Sequence, residues 1–346
     1  MAKKRVAVLM GGISSERDIS LSTGRQILES LDPGKYEAFG VDAALISGSS
    51  RTVLRGADEE ISTVAEAREM LAKSNQLVPV DHIVSRDSGL RPDVVFIALH
   101  GKFGEDGTVQ GMLDLLGIPY TGSGVLASAL AMDKSMTKKV LAADGIPVPE
   151  SVDFTVRGGS WDIAGVADRV AAMGYPVMVK PSRQGSTIGM TKVNGPDALN
   201  SAIKEAAAYD EQIIVERFVA GTELTVGVLG NDDPIALPVV EIVPVHEYYD
   251  YQSKYAPGGS EHIIPARLSD AHTAQAQQIA LDAFRSLGCR GMARVDLIAG
   301  SHGMCVLEVN TIPGMTPTSL LPDAAKAVGI GFGRLLDMLI DFALES

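Results

Sequence analysis

At 346 residues the chain is long for one compact domain and suggests two or three. A net charge of -13, with no Lys/Arg run longer than Lys3-Lys4-Arg5, argues against a nucleic-acid surface, so any anionic substrate must be met by a few local cations. Cys289 and Cys305 are the only cysteines and imply neither a disulfide framework nor a cysteine metal site; 46% hydrophobic residues supply ample core, and no run of about 18 apolar residues spans a membrane, so the expectation is a soluble cytoplasmic protein.

In chain order, Arg5-Val-Ala-Val-Leu-Met10 reads as a strand, Gly11-Gly12 as a turn, and Ser14 or Ser15 as the cap of a helix running to about Leu31. The start could imitate a signal peptide, but its apolar run is short and ends in Gly-Gly, which suits a buried first strand better. Strand, glycine turn and helix open an α/β sheet. Glu16 falls in the first helical turn, where the helix dipole alone favours a carboxylate, so its position assigns it no function by itself. Residues 40 to 90 are less regular, with an acidic helix expected around 58 to 73. Asp93-Val-Val-Phe-Ile-Ala-Leu-His100 reads as a buried strand followed by the glycine-rich Gly101-Lys-Phe-Gly-Glu-Asp-Gly107. Open α/β sheets bind ligands beyond the carboxyl ends of their strands, where His100 falls; the other reading is a satisfied structural histidine.

Gly122-Ser-Gly-Val-Leu-Ala127 matches a loose dinucleotide fingerprint, but no acidic residue clearly ends a second strand after it, and a tight turn into a helix is expected, with Asp133-Lys134 on that helix. Asp144-Gly-Ile-Pro-Val-Pro149 links to a second domain. There a buried strand ends on Lys180 and runs into Pro-Ser-Arg-Gln-Gly185-Ser186-Thr-Ile-Gly189. A lysine point charge and the backbone N–H groups of a small-residue loop suit phosphate; the alternative is a polar hairpin loop. No Walker A sequence is present. Glu216 sits in the buried strand 212 to 219 and Glu223 begins the next; such carboxylates can hold an adenine amino group and ribose hydroxyls, though singly both are ordinary edge carboxylates. The tyrosine-rich stretch 245 to 262, with Lys254, is expected to be a lid or binding loop.

Two strand-like runs, from Met292 and to Asn310, flank Gly300 to Gly303, a hairpin signal. Side chains two apart share a face, so Arg294 and Asp296 point one way, as do Glu308 and Asn310. If Gly300 pairs with Met304, Asp296 lies opposite Glu308 and Arg294 opposite Asn310. A register one residue different would set Asp296 against Leu307 and disperse the cluster. Oxygen ligands without His or Cys suit Mg²⁺ completed by substrate phosphates; the other reading is an Arg–Asp pair on a solvated hairpin. The Pro313-Gly314 turn offers backbone N–H groups beside that face.

Together, Gly11-Gly-Ile-Ser-Ser-Glu-Arg17, Ala98-Leu-His-Gly101, Tyr120-Thr-Gly-Ser-Gly124, Met132-Asp-Lys134, Val179-Lys-Pro-Ser-Arg-Gln-Gly-Ser186, Tyr249-Asp-Tyr-Gln-Ser-Lys-Tyr255 and Glu308-Val-Asn-Thr-Ile-Pro-Gly-Met-Thr316 closely resemble the D-alanine–D-alanine ligases of the ATP-grasp superfamily. The resemblance runs in order over nearly the whole chain, residues 40 to 90 apart. It implies a mixed α/β, three-domain ATP-grasp fold: residues 1–122 with an open parallel sheet, 123–216 as the central domain, and 217–346 as the catalytic domain carrying the lid loop. ATP would be gripped between the last two.

The implied reaction phosphorylates the carboxylate of one D-alanine, and the amine of a second displaces phosphate to give a dipeptide for peptidoglycan precursor synthesis. The resemblance places Lys134, Lys180 and Lys254 on phosphate groups and Glu216, Arg217, Val219 and Glu223 on adenosine. Asp296, Glu308 and Asn310 would hold two Mg²⁺ ions, with Mn²⁺ as a substitute and a monovalent cation left open. Arg294 and the Gly314 N–H would serve the oxyanion. Glu16 would meet the first ammonium and, with Ser186 and Tyr255, close the lid; His100 would contact the first substrate, and Ser319 with the Leu320 backbone the second carboxylate. Partners are ATP, D-alanine and a second copy, as the family is usually dimeric, with no nucleic acid or membrane. Gln184, Thr187 and Ile312 depart from frequent family residues without removing a charged role. A depsipeptide-forming relative using D-lactate is disfavoured by the Tyr249 to Tyr255 run, and a non-catalytic nucleotide-binding module by the intact hairpin residues.

Overall fold

A computed structural model describes residues 2–14, 16–44, 53–55, 59–61, 77–79, 91–185, 187–244, 260–316 and 319–345. Its first strand, β1 (Lys4–Met10), is fully buried from Val6 to Met10 and is followed by helix α1 (Arg17–Ser30) and the parallel strand β2 (Tyr36–Asp42). A short hairpin of β3 (Val53–Arg55) and β4 (Glu59–Ile61) comes next, then β5 (Leu77–Pro79) and β6 (Val94–Ile97). The acidic helix expected around 58 to 73 is therefore corrected at residues 59–61, which pair as a strand; residues 62–73 lie outside the described residues. The parallel sheet runs β5-β2-β1-β6. Parallel sheets need cover on both faces, and period-two alternation supplies it: Val6, Val8 and Met10 pack with Ile27 of α1, while Ala7 and Leu9 pack with Val109 and Leu113 of α2 (Thr108–Leu116).

The turn after β1 has an exacting geometry. Gly11 and Gly12 hold φ of 75° and 77°, and a Cβ on Gly11 would lie 2.3 Å from Asp42 Oδ1. Asp42 accepts both Arg17 guanidinium nitrogens, at 2.9 and 2.5 Å, and the Gly12 N–H at 3.3 Å. This buried pair sets where α1 begins: Glu16 stands at its N-cap position, with its N–H donated to Ser14 Oγ at 3.2 Å, so the helix starts later than a cap at Ser14 predicts. Ser15 lies outside the described residues. Gly11→Ala is expected to cost about 2 kcal/mol or more through backbone strain and the Asp42 clash. Urea unfolding checks this; an unchanged midpoint would mean that the turn relaxes freely.

Helices α3 (Val125–Met132) and α4 (Lys134–Ala143) lead to the second sheet. The single helix expected to carry Asp133-Lys134 is two helices, because Asp133 leaves the helical path and its carboxylate accepts the Met136 N–H at 3.1 Å and the Ser182 hydroxyl at 2.7 Å. The second sheet consists of β7 (Ser151–Thr155), β8 (Val177–Pro181), β9 (Thr191–Val193) and β10 (Gln212–Arg217), ordered β7-β10-β8-β9 and antiparallel throughout. Helices α5 (Ile163–Met173) and α6 (Leu199–Ala207) close its core around Val170, Val179, Ile203 and Ile213.

The third sheet contains β11 (Gly221–Gly230), β12 (Ile235–Ala236), β13 (Val240–Pro244), β14 (Ser260–Ile263), β15 (Gly291–Gly300) and β16 (Gly303–Asn310), in the order β14-β13-β11-β15-β16 with β12 on β11. The loop expected over 245 to 262 is thus a strand from Ser260; residues 245–259 lie outside the described residues. On one face Val226, Val228 and Val295 pack against α3, α4 and α7 (Asp270–Ser286). On the other, Leu229 and Met292 meet α8 (Leu320–Ala327) and α9 (Phe332–Leu344). Helix α9 also covers β1 and β6, and its Asp337 accepts Tyr36 Oη at 2.9 Å and Lys35 Nζ at 2.6 Å. No helix among the described residues is long and apolar enough to cross a membrane.

Candidate active site

The β15–β16 hairpin begins in a register that would destroy its own site. Gly300 pairs with Gly303 and Leu297 with Val306, not Gly300 with Met304 as expected, and this ladder continued would set Asp296 against Leu307. The register shifts between Asp296 and Leu297, leaving Leu307 as an extra residue. Beyond this bulge Asp296 faces Glu308 and Arg294 faces Asn310, the cross-strand pairs expected from the sequence, reached by another route. Arg294 Nε and Nη2 each donate to Asp296 at 2.8 Å, Thr225 donates to Asp296 Oδ1 at 2.6 Å, and Asn310 Nδ2 to Oδ2 at 3.2 Å.

Two cavities meet here. One, of about 590 Å³, is lined by Glu16, His100, Glu105, Lys134, Arg294, Glu308, Asn310, Gly314, Ser319 and Leu320. The other, of about 110 Å³, lies between the second and third sheets and is lined by Lys134, Lys180, Thr187, Glu223, Asp296, Leu307 and Glu308. Lys134 and Glu308 line both, 3.4 Å apart, and Lys134 Nζ also donates to the Gln184 carbonyl at 2.7 Å.

Behind the smaller cavity, Lys180 Nζ donates to Glu216 Oε2 at 2.8 Å and Lys138 Nζ lies 3.1 Å from Glu216 Oε1. Burial opposes the Glu216 charge, but the two ammonium groups overcome it and hold the carboxyl below its usual range. Burial likewise works against Lys180, yet Glu216, Glu308 and Glu223 raise its pKa. Glu216 itself is 2% exposed. Arg217 points to Glu150, 2.6 Å away, and Val219 packs over Gly300; neither side chain lines these cavities.

At the far end, His100 Nε2 lies 3.3 Å from Thr23 Oγ1, and burial lowers its pKa, with Glu16 opposing and Arg294 assisting that shift. Glu16 is 8% exposed and faces the backbone of Gly185. Ser319 is the N-cap residue of α8; its hydroxyl accepts the Thr316 N–H at 3.0 Å, and a Cβ on Gly314 would come within 2.9 Å of it. The cavity thus ends at a helix N-terminus, which favours a carboxylate. Ser186, Lys254 and Tyr255 lie outside the described residues.

Sequence reasoning passed over Glu105 and Lys138. Glu105 accepts the Gly101 N–H at 2.5 Å, and burial, reinforced by Glu16, raises its pKa to about 8. A carboxyl raised in the fold stabilises it fully below the ordinary value near 4.5 and loses that contribution as pH rises to about 8. Glu105→Gln removes this slope, so the variant is expected to gain stability relative to the parent between pH 5 and 9. Urea midpoints across that range test it; parallel curves would contradict the shift.

Among the described residues no three His, Cys, Asp or Glu side chains converge into a protein-only metal cage. Two carboxylates and an amide share one face instead, with Lys134 and Lys180 lining the same smaller cavity as Asp296 and Glu308. That donor set fits Mg²⁺, which takes one or two carboxylates and leaves positions for water and phosphate oxygens.

Residues 5–123 match the family model described as D-ala D-ala ligase N-terminus, and residues 140–341 the one described as D-ala D-ala ligase C-terminus. The chain belongs to this ligase family. The D-alanine–D-alanine ligase of Pelotomaculum thermopropionicum is 43% identical over 99% of this chain and 97% of its own length, and that of Desulforudis audaxviator is 45% identical over 99% of each. Among solved structures, the D-alanine–D-alanine ligase from Bacillus anthracis complexed with ATP has a TM-score of 0.75 and 30% identity, covering 99% of this chain and 98% of that one. The VanG D-Ala:D-Ser ligase from Enterococcus faecalis has a TM-score of 0.81 and 33% identity, covering 99% and 100%. The resemblance and the mixed α/β ATP-grasp architecture expected from the sequence are both met in this ligase family.

Proposed function

We propose that the chain joins two D-alanines to D-alanyl-D-alanine at the expense of ATP, in the cytoplasm and for cell-wall precursor synthesis. The observation that carries this reading is the Arg294–Asp296–Glu308–Asn310 face at the junction of the narrow lysine-lined slot between the second and third sheets and a larger polar cavity. ATP lies between the second and third sheets, the grasp expected for units 1–122, 123–216 and 217–346. Lys134, Lys180 and Lys254 neutralise its phosphates; Glu216, Arg217, Val219 and Glu223 hold adenosine, the first three through backbone atoms. Asp296, Glu308 and Asn310 hold two Mg²⁺ ions, replaceable by Mn²⁺, which when bound neutralise the transferring phosphoryl group.

A carboxylate oxygen of the first D-alanine, its ammonium held by Glu16 and its body by His100, takes the γ-phosphoryl group and ADP leaves. The second D-alanine, its carboxylate on Ser319 and the Leu320 N–H, loses one proton from its ammonium to water, attacks the acyl carbon as the free amine, and passes a second proton to the departing phosphate. Arg294 and the Gly314 N–H hold the oxyanion until the C–O bond breaks and phosphate leaves. Glu16, Ser186 and Tyr255 close the lid and exclude water from the acylphosphate. A Cβ on Gly185 would lie 3.8 Å from Glu16 Oε2, so the residue before Ser186 neighbours Glu16, which supports that link.

The test supplies ATP, Mg²⁺ and D-alanine, alone or with D-serine or D-lactate, with and without potassium, and identifies products by mass. D-alanyl-D-alanine from D-alanine alone supports the reading; no D-alanine-dependent ADP release sinks it. The VanG likeness makes D-alanyl-D-serine the second reading, which a dominant mixed product would favour. The chain also pairs with a second copy, for which Leu115, Val125 and Leu126 on α2 and α3, 92, 40 and 71% exposed, provide an apolar face. Light scattering reads the mass, and Leu126→Glu is expected to lower it to a monomer's.

A further inference from the structure

We infer that Lys138, on α4, is a positioning residue that sets the register of the Asp296–Glu308 pair and keeps Lys180 available for phosphate. Lys138 is 3% exposed and its ammonium reaches two groups on two other elements: it donates to the Leu307 carbonyl at 3.1 Å and lies 3.1 Å from Glu216 Oε1. Leu307 is the extra residue of the bulge. A half-buried carbonyl displaced from its ladder favours a nearby donor, and without one the ladder set by the Gly300–Gly303 turn is the competing arrangement. That competing ladder places Leu307, not Glu308, opposite Asp296. Lys138 therefore stabilises the irregular register in which both carboxylates share a face.

The second contact serves the nucleotide end. Glu216 has one lysine on each oxygen, Lys138 on Oε1 and Lys180 on Oε2. A buried carboxylate left without a cation is strongly unfavourable. If Lys180 were its only partner, turning that ammonium towards a phosphate would strand Glu216. With Lys138 in place, Glu216 keeps a counter-ion while Lys180 exchanges between carboxylate and phosphate. The lysine four residues along the helix from Lys134 thus supports the metal face and the phosphate lysine together.

This inference rests on the ligase reading for the identity of the ligands, and its test needs no turnover. Mn²⁺ binding in the presence of ADP is measured by electron paramagnetic resonance, and amide hydrogen exchange is followed over residues 303–310, for the parent, Lys138→Met and Lys138→Met/Glu216→Gln. The paired variant removes both buried charges, so it carries the test if the single one fails to fold. The expected result is Mn²⁺ affinity lower by about tenfold or more, with faster exchange confined to the hairpin while β1 and α1 exchange as in the parent. Hairpin exchange and Mn²⁺ affinity within about twofold of the parent in a folded variant would overturn the role, as would faster exchange spread over the whole chain. A parent that binds no Mn²⁺ with ADP would instead count against the ligase reading itself.

Discussion

Glu308→Gln is expected to lower dipeptide formation by on the order of 10³-fold or more, equivalent to ~4 kcal/mol in the barrier, with a thermal midpoint within a few degrees of the parent. The amide keeps the side-chain volume and the strand position opposite Asp296, so no cavity opens. What it loses is the charge that faces Lys134 at 3.4 Å and that would hold a divalent ion between the two cavities. Phosphoryl transfer depends on positioning and charge neutralisation, so losing one carboxylate acts on turnover more than on nucleotide binding. The comparison is kcat at saturating Mg²⁺ for both proteins. Retained turnover there would refute Glu308 as a ligand.

The strands of this protein were legible where burial is two-sided: β1, β6 and β10 are short apolar runs and fall close to where the sequence puts them. The hairpin face was legible because side chains two apart must agree in direction. The bulge was not, because its partner is Lys138, 169 residues away from Leu307, on a helix where a lysine reads as a solvent-exposed residue. Glu105 was hidden for a similar reason. Its Gly-Lys-Phe-Gly-Glu-Asp-Gly surroundings read as a loop, and only the fold brings Glu16 and Arg294 near enough to perturb it. The break at Asp133 depends on Ser182, just after β8 of the next sheet, and α9 covers the first sheet through an Asp337 contact that spans 302 residues to Lys35. Local pattern fixes elements and faces; the contacts that place chemistry on those faces are long-range.

Arg294→Lys separates charge from shape at the same face, and is expected to lower kcat by about 10² to 10³-fold while the KM for ATP changes far less. Arginine binds Asp296 through two parallel N–H donors at 2.8 Å, and Asn310 stands across the strand from it. Lysine keeps one positive charge but offers a point donor in place of a planar fork, so it can reach Asp296 or the developing oxyanion and not span both. The smaller cavity, proposed for the nucleotide, is lined by Lys134 and Lys180 and not by Arg294, which is why ATP affinity should be spared. Single-turnover measurement of ADP formation against dipeptide formation distinguishes the steps. If phosphoryl transfer slows and the ligation that follows does not, Arg294 acts through Asp296. If ADP forms at the parent rate and dipeptide lags, it acts on the oxyanion. Parent rates for both would remove Arg294 from the reaction.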